Sequence, residues 1–198
     1  MQTHTKTLLT AVGLTVALAA GCATTEMTST WTDPAAKGAP PLSKVAVLCM
    51  TKDPGLRRQA EDAATSQLQL KGAQAIASYQ IIGDDELKDR EAVKAKLQNA
   101  GVDGVLVMRM TGVTEQAMVA GPYATFDGYY DYGAAVYGPG YVQTDTIVHA
   151  VSNLYSLPQN KLIWSGTSKT FDPGSATQFM GDVSKEVAQT LQKNRLIL

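Results

Sequence analysis

Apolar side chains along this chain fall into distinct patterns, and each pattern predicts a different element. Val45–Met50 and Val105–Met110 are apolar throughout, as strands covered on both faces are. Between them, Leu56, Ala60, Ala63, Ala64 and Leu68 recur at helical spacing after Asp53-Pro54, a cap followed by a first-turn proline, and Gly72 stops the run. Ala75–Tyr79 predicts a short strand. Asp84-Asp85-Glu86 predicts a helical turn, and a longer helix from about Asp89 presents Val93, Leu97 and Ala100 before Gly101 ends it. Thr144–Leu157 and Lys161–Phe171 are β-rich and separated by Pro158-Gln159-Asn160, which predicts an antiparallel hairpin. A last helix from about Ser175 carries Phe179, Met180, Val183, Val187 and Leu191 on one face. Successive β-α-β steps imply parallel pairing with right-handed crossovers. The expected fold is α/β (α+β): a mixed five-stranded sheet, elements in the order β-α-β-α-β-β-β-α, with helices packed on the sheet. It forms a single domain over 44–198.

The segment before this domain has another character. Residues 1–21 open with a short polar stretch containing Lys6, continue as an apolar run from Leu8 to Ala20, and finish in small residues. That is the layout of a secretory signal, and the run is too short to span a bilayer stably. Leu18-Ala19-Ala20-Gly21-Cys22 resembles the lipobox of bacterial lipoproteins, with Leu18 one position further out than is usual and Ala19 in its place. The resemblance implies cleavage before Cys22, lipidation of its thiol and acylation of the new amino terminus. Several acyl chains on one residue anchor a protein without a transmembrane helix. Ala23, where aspartate would signal inner-membrane retention, points by the same resemblance to the outer membrane, facing the periplasm. The alternative is ordinary cleavage after Ala17-Leu18-Ala19, which leaves Cys22 and Cys49 free to pair in an oxidising compartment. With Cys22 acylated, Cys49 is the sole thiol and reads as a small buried hydrophobe. Residues 22–43, rich in Thr, Ala, Pro and Gly, read as the lipidated cysteine and a flexible tether, with Trp31 docking on the domain or the membrane interface.

Charge narrows the partners. Lys6 is the only full charge in residues 1–21, so of 17 basic side chains 16 remain against 18 acidic ones. A near-neutral surface without a basic block excludes nucleic acid and electrostatic docking on anionic lipid. The remaining partners are the membrane, through Cys22, and envelope proteins or a second copy of the chain.

Little in the sequence points to catalysis. His149 is the only histidine after processing; no G-x-S-x-G accompanies it, and it reads as a sheet-surface residue. Asp127 with Asp131, and Asp84-Asp85-Glu86, lack Ca²⁺-loop spacing, and one histidine cannot build a His-rich zinc site. Gly138-Pro139-Gly140 lacks the strand and helix that a phosphate loop requires. Arg57 and Arg58, near a helix start, read as solvated or paired, with an anion site as the alternative. No catalytic residue, metal site or cofactor is expected, and the chain is not expected to be an enzyme.

One segment stands apart: the Tyr/Gly-rich insertion at about 117–143. Six of the eight tyrosines lie in it, as Tyr123, Tyr129, Tyr130, Tyr132, Tyr137 and Tyr141, together with Phe126. Five glycines interleave with them, and no Lys or Arg occurs from Met110 to Asn160. Tyrosine offers large amphipathic contact area with few torsions to freeze, so these residues are the candidate binding surface. A protein partner, self-association, sugar rings, or contact with the domain's own apolar surface are the open alternatives.

Trp31-Thr-Asp-Pro34, Arg57-Arg58, Ala75–Ser78, Gly101–Val105 and Ile163–Gly166 resemble a group of uncharacterised bacterial lipoproteins over most of 31–194. The order of elements is similar to the TolB amino-terminal domain, CsgG and the LpoB-type activators of cell-wall synthases. That resemblance implies a non-catalytic binding or assembly role in the envelope. Glycan contact is the alternative and a hydrolase the distant one.

Overall fold

The computed structural model describes residues 24–119 and 142–198. Its strands are β1 (Thr24–Thr32), β2 (Lys44–Cys49), β3 (Gln74–Ala77), β4 (Gly104–Val119), β5 (Val142–Ser156) and β6 (Lys161–Phe171). Its α-helices are α1 (Pro54–Leu70), α2 (Arg90–Asn99) and α3 (Ala176–Lys193). The strands form one mixed sheet in the order β1-β6-β5-β4-β2-β3. β2 pairs in parallel with β3 and β4, whereas β4, β5, β6 and β1 pair antiparallel. The α/β class, the parallel steps and the β5–β6 hairpin are as expected.

Helix boundaries follow from caps. The Asp53 carboxylate accepts hydrogen bonds from Gly55 N (2.8 Å) and Leu56 N (3.1 Å), with Pro54 at the first helical position. Asp89 and Ser175 do the same for α2 and α3. Gly72 and Gly101, with φ of 91° and 71°, end α1 and α2 in the left-handed region that glycine enters at no steric cost.

Alternation along β2 and β4 feeds two cores. On one face Val45, Val47, Leu106, Leu154 and Trp164 pack against Leu68 of α1 and Val183, Val187 and Leu191 of α3. On the other, Ala46 and Val105 pack against Ile82, Val102 and Leu97 of α2. Both faces of these strands are therefore covered, which is why their sequences are apolar at every position. Burying each large aliphatic chain of α3 contributes about 1.5–3 kcal/mol.

Departures from expectation lie where polar residues form strands. The sheet has six strands, not five, because Thr24–Thr32 in the expected tether is an edge strand on β6. Thr25 and Thr170 share a hydroxyl hydrogen bond (2.8 Å), Lys169 pairs with Glu26 (2.8 Å), and Met27 packs on the core. A Thr-rich segment suits a half-covered pleated edge without needing an apolar run. Trp31 lies opposite Ser165 and stays 47% exposed. Just beyond β1, Asp33 caps the one-turn helix Pro34–Ala36 and bonds to Lys161. That lysine, and then the Ala35 N–H, hold its carboxyl below the usual carboxylate range.

The expected strand Val105–Met110 continues to Val119, and β5 begins at Val142, so each reaches into the insertion expected at about 117–143. The strand expected over Ala75–Tyr79 ends at Ala77, and Ser78–Gln80 turn into a short 3-10 helix.

Candidate functional site

β3 and β4 flank β2, with α1 crossing to β3 over one face and α2 returning to β4 over the other. The first crossover runs outward from β2 to β3, and the second runs from β3 back past β2 to β4 on its other side. The carboxyl end of β2, beside Met108 in the middle of β4, is thus an uncovered crevice of the kind in which open α/β sheets bind ligands. On the α1–α3 face it deepens into a cavity of about 260 Å³ whose walls include Cys49, Met50, Met108, Met110, Phe179 and Met180. Ser184 also lines it; the residue is buried and its hydroxyl has no hydrogen-bond partner among the described residues. On the α2 face a more open depression of about 450 Å³ is bordered by Leu48, Lys52, Leu87, Arg90 and Val93. Methionine-rich walls adapt their shape, so the first cavity suits an apolar group more than a charged one.

A buried charge network holds this end of the sheet together. Arg57 and Glu61 are 1% and 0% exposed and pair through Nε and Oε1 at 2.9 Å. Glu61 also accepts from Cys49 N (3.1 Å), Tyr79 N (2.8 Å) and Ser78 Oγ (2.9 and 3.0 Å). Arg57 donates onward to Asp84 Oδ1 (2.6 Å) and to Ser78 Oγ (2.9 Å). One carboxylate thus joins the end of β2, the first turns of α1 and the turn after β3. The sequence alone reads Arg57 as solvated or paired and does not single out Glu61. The missed signal was the stripe Arg57, Ala60, Glu61, Ala64, Leu68, in which both charges share the buried face.

The anion alternative for Arg57 and Arg58 is not supported by this geometry. Arg57 is fully engaged, and the Asp53 carboxylate already caps the α1 amino terminus. Arg58 is exposed, 3.8 Å from Asp84 and 5.9 Å from the Tyr79 ring centre. Asp84 and Glu86 are engaged too: Glu86 meets Lys96 (2.6 Å) and Gly83 N (2.9 Å), and these bonds, Lys96 first, hold its carboxyl low.

Cys49 is half-buried beside this network, as a small hydrophobe would be. Burial pushes its thiol up to about 11, the Glu61 charge adds to the rise, and Arg57 opposes it. Relative to an ordinary cysteine thiol at 9.0, that lowers the thiolate fraction at neutral pH about a hundredfold. Labelling with an aromatic disulfide reagent at pH 8 should therefore be about a hundredfold slower in the native protein than in urea. Equal rates in the two states would refute a protonated, enclosed thiol.

His149 is half-buried, and its Nε2 lies 3.1 Å from Thr114 Oγ1 on the neighbouring strand. Among the described residues no three His, Cys, Asp or Glu side chains gather as a metal site. Among the same residues no helix is long and apolar enough to cross a membrane. The candidate residues Cys22, Tyr123, Phe126, Tyr129, Tyr130, Tyr132, Tyr137 and Tyr141 lie outside the described residues, as do Asp127 and Asp131.

No protein-family model and no curated protein matches the chain. Among solved structures it is similar to the PelC dodecamer from Paraburkholderia phytofirmans at 16% identity and TM-score 0.46, covering 89% of this chain and 99% of that one. It is also similar to a lipoprotein from Neisseria meningitidis, at 16% identity and TM-score 0.43 over 76% of this chain and 99% of that one. A minor lipoprotein from Acinetobacter baumannii matches at 9% identity and TM-score 0.35, over 79% and 96% of the two chains. These likenesses assign no family.

Proposed function

We propose that this chain is a lipid-anchored lipoprotein of the outer membrane, facing the periplasm, whose domain is a non-catalytic binding or assembly module. The observation that carries the proposal is Leu18-Ala19-Ala20-Gly21-Cys22, just before the first described strand, Thr24–Thr32. A cysteine presented this way suits acylation, and an α/β domain tied to it is placed to meet envelope proteins. The Tyr/Gly segment is the surface assigned to those partners. In support, the residues that flank it, Val119 and Val142, pair with each other at the end of the longest strands among the described residues.

Metabolic labelling with a fatty acid should mark the wild-type chain and not Cys22→Ala, which should appear in the soluble periplasmic fraction. A Cys22→Ala protein that still takes label overturns the anchoring. Crosslinking in intact cells, with and without residues 121–142, tests the partner surface. Unchanged crosslinks after deletion would remove the segment from that role.

A further inference from the structure

We propose that the cavity on the α1–α3 face, at the carboxyl end of β2, binds a small uncharged molecule with an apolar body and one hydrogen-bond acceptor. The inference does not depend on the anchoring proposed above. Strand alternation builds the floor of the cavity. Val45 and Val47 face the α1–α3 core, so Cys49, two residues on, faces the same side, and its register partner Met108 also packs there. Met180 and Val183 come from the buried face of α3 and Ala60 from that of α1. Met50 and Met110 on the wall are more than half exposed. A molecule in the cavity therefore covers apolar surface that the chain by itself leaves in water.

Ser184 supplies the polar contact. It lines the cavity, is 2% exposed, and its Oγ has no hydrogen-bond partner among the described residues. A helical serine or threonine commonly returns its hydroxyl to the carbonyl one turn back, as Thr190 of α3 does to Glu186 O (2.8 Å). Ser184 makes no such bond to Met180 O. A buried hydroxyl without a partner is a standing cost to the fold, and an acceptor atom on a bound molecule would remove it.

The walls also set the charge and size of the occupant. Among the described residues that line the cavity, only Arg109 is charged. Met108 packs on the α1–α3 core and Val107 on the opposite one, so alternation sends the exposed Arg109 to the side of Val107, away from the cavity. The Cys49 thiol, raised to about 11, stays protonated and adds no charge. A charged ligand would thus lose its water with nothing to balance it. An apolar cavity of about 150 Å³ accepts benzene, so about 260 Å³ takes a molecule somewhat larger than one aromatic ring.

The test uses the chain from residue 22 onward carrying Cys22→Ala, which keeps every described residue and needs no detergent. Its methionine methyl groups are isotope-labelled and followed by NMR as acetophenone is added. Met108, Met110 and Met180 are expected to shift and to saturate, half-way at about 1 mM or below, while Met27 on β1 stays unmoved. Benzoate, the charged counterpart, should move none of them. Ser184→Ala should weaken acetophenone binding severalfold and leave α-methylstyrene, which keeps the shape without the oxygen, bound as before. Ala176→Phe, at an exposed residue of the wall, should abolish binding of both while the core stays intact. Methyl groups that do not shift, a Met27 shift of equal size, benzoate bound as well as acetophenone, or Ala176→Phe binding like its parent would each overturn the site. Acetophenone bound equally with and without the Ser184 hydroxyl overturns the acceptor assigned to the ligand.

Discussion

Glu61→Ala is expected to lower the free energy of unfolding by about 3–5 kcal/mol, because it leaves the buried Arg57 guanidinium without its one fully buried counter-charge. The side chain accepts five hydrogen bonds, two from backbone N–H groups at Cys49 and Tyr79, and alanine replaces none of them. Against a typical domain stability of about 5–15 kcal/mol, a loss of that size removes a large share of the margin. Arg57→Met should cost less. Glu61 then keeps both backbone donors and the Ser78 hydroxyl, and Asp84, partly exposed, can turn to water. The double variant Arg57→Met/Glu61→Ala should recover part of the single loss, since removing both charges leaves neither buried without its partner. Urea unfolding of the four proteins, compared as a double-mutant cycle, measures the coupling directly. Additive losses would show that the pair does not act as a unit.

This network also shows where sequence reasoning ends. α3 was legible because Met180, Val183, Val187 and Leu191 repeat at helical spacing, and its burial pattern follows that stripe. The β5–β6 hairpin was legible because a Pro-Gln-Asn break separates two β-rich runs. β1 was not, since an edge strand gains its hydrogen bonds from one neighbour and needs few apolar side chains to stay there. The outer half of β4 escaped for the same reason: Thr111–Val119 is held chiefly by pairing with β5 and carries no continuous apolar run. The crevice at the carboxyl end of β2 depends on Met50, Met110, Phe179 and Ser184 coming together from distant parts of the chain. No local spacing encodes that meeting. Cys22 is the opposite case, a site read wholly from sequence.

Trp164→Ala is the second substitution with a large expected effect, about 3–5 kcal/mol of stability. The ring is fully buried in the larger core, between the strands and α3. Gly166 makes the ring's position possible: a Cβ there would lie 2.5 Å from Trp164 Cη2 and 2.5 Å from Met27 Cε. Trp164, Gly166 and Met27 thus interlock β6 with β1, and Trp164 itself stands opposite Thr32. Trp164→Phe should cost less than alanine, partly because the indole Nε1 has no hydrogen-bond partner among the described residues. Phenylalanine removes that orphaned donor, although it leaves a small void. Far-ultraviolet circular dichroism follows the unfolding of all three proteins, since the two variants lack the Trp164 ring as a fluorescent probe. The expected order of urea midpoints is wild type, Trp164→Phe, Trp164→Ala, and a Trp164→Ala midpoint equal to wild type would refute the interlock.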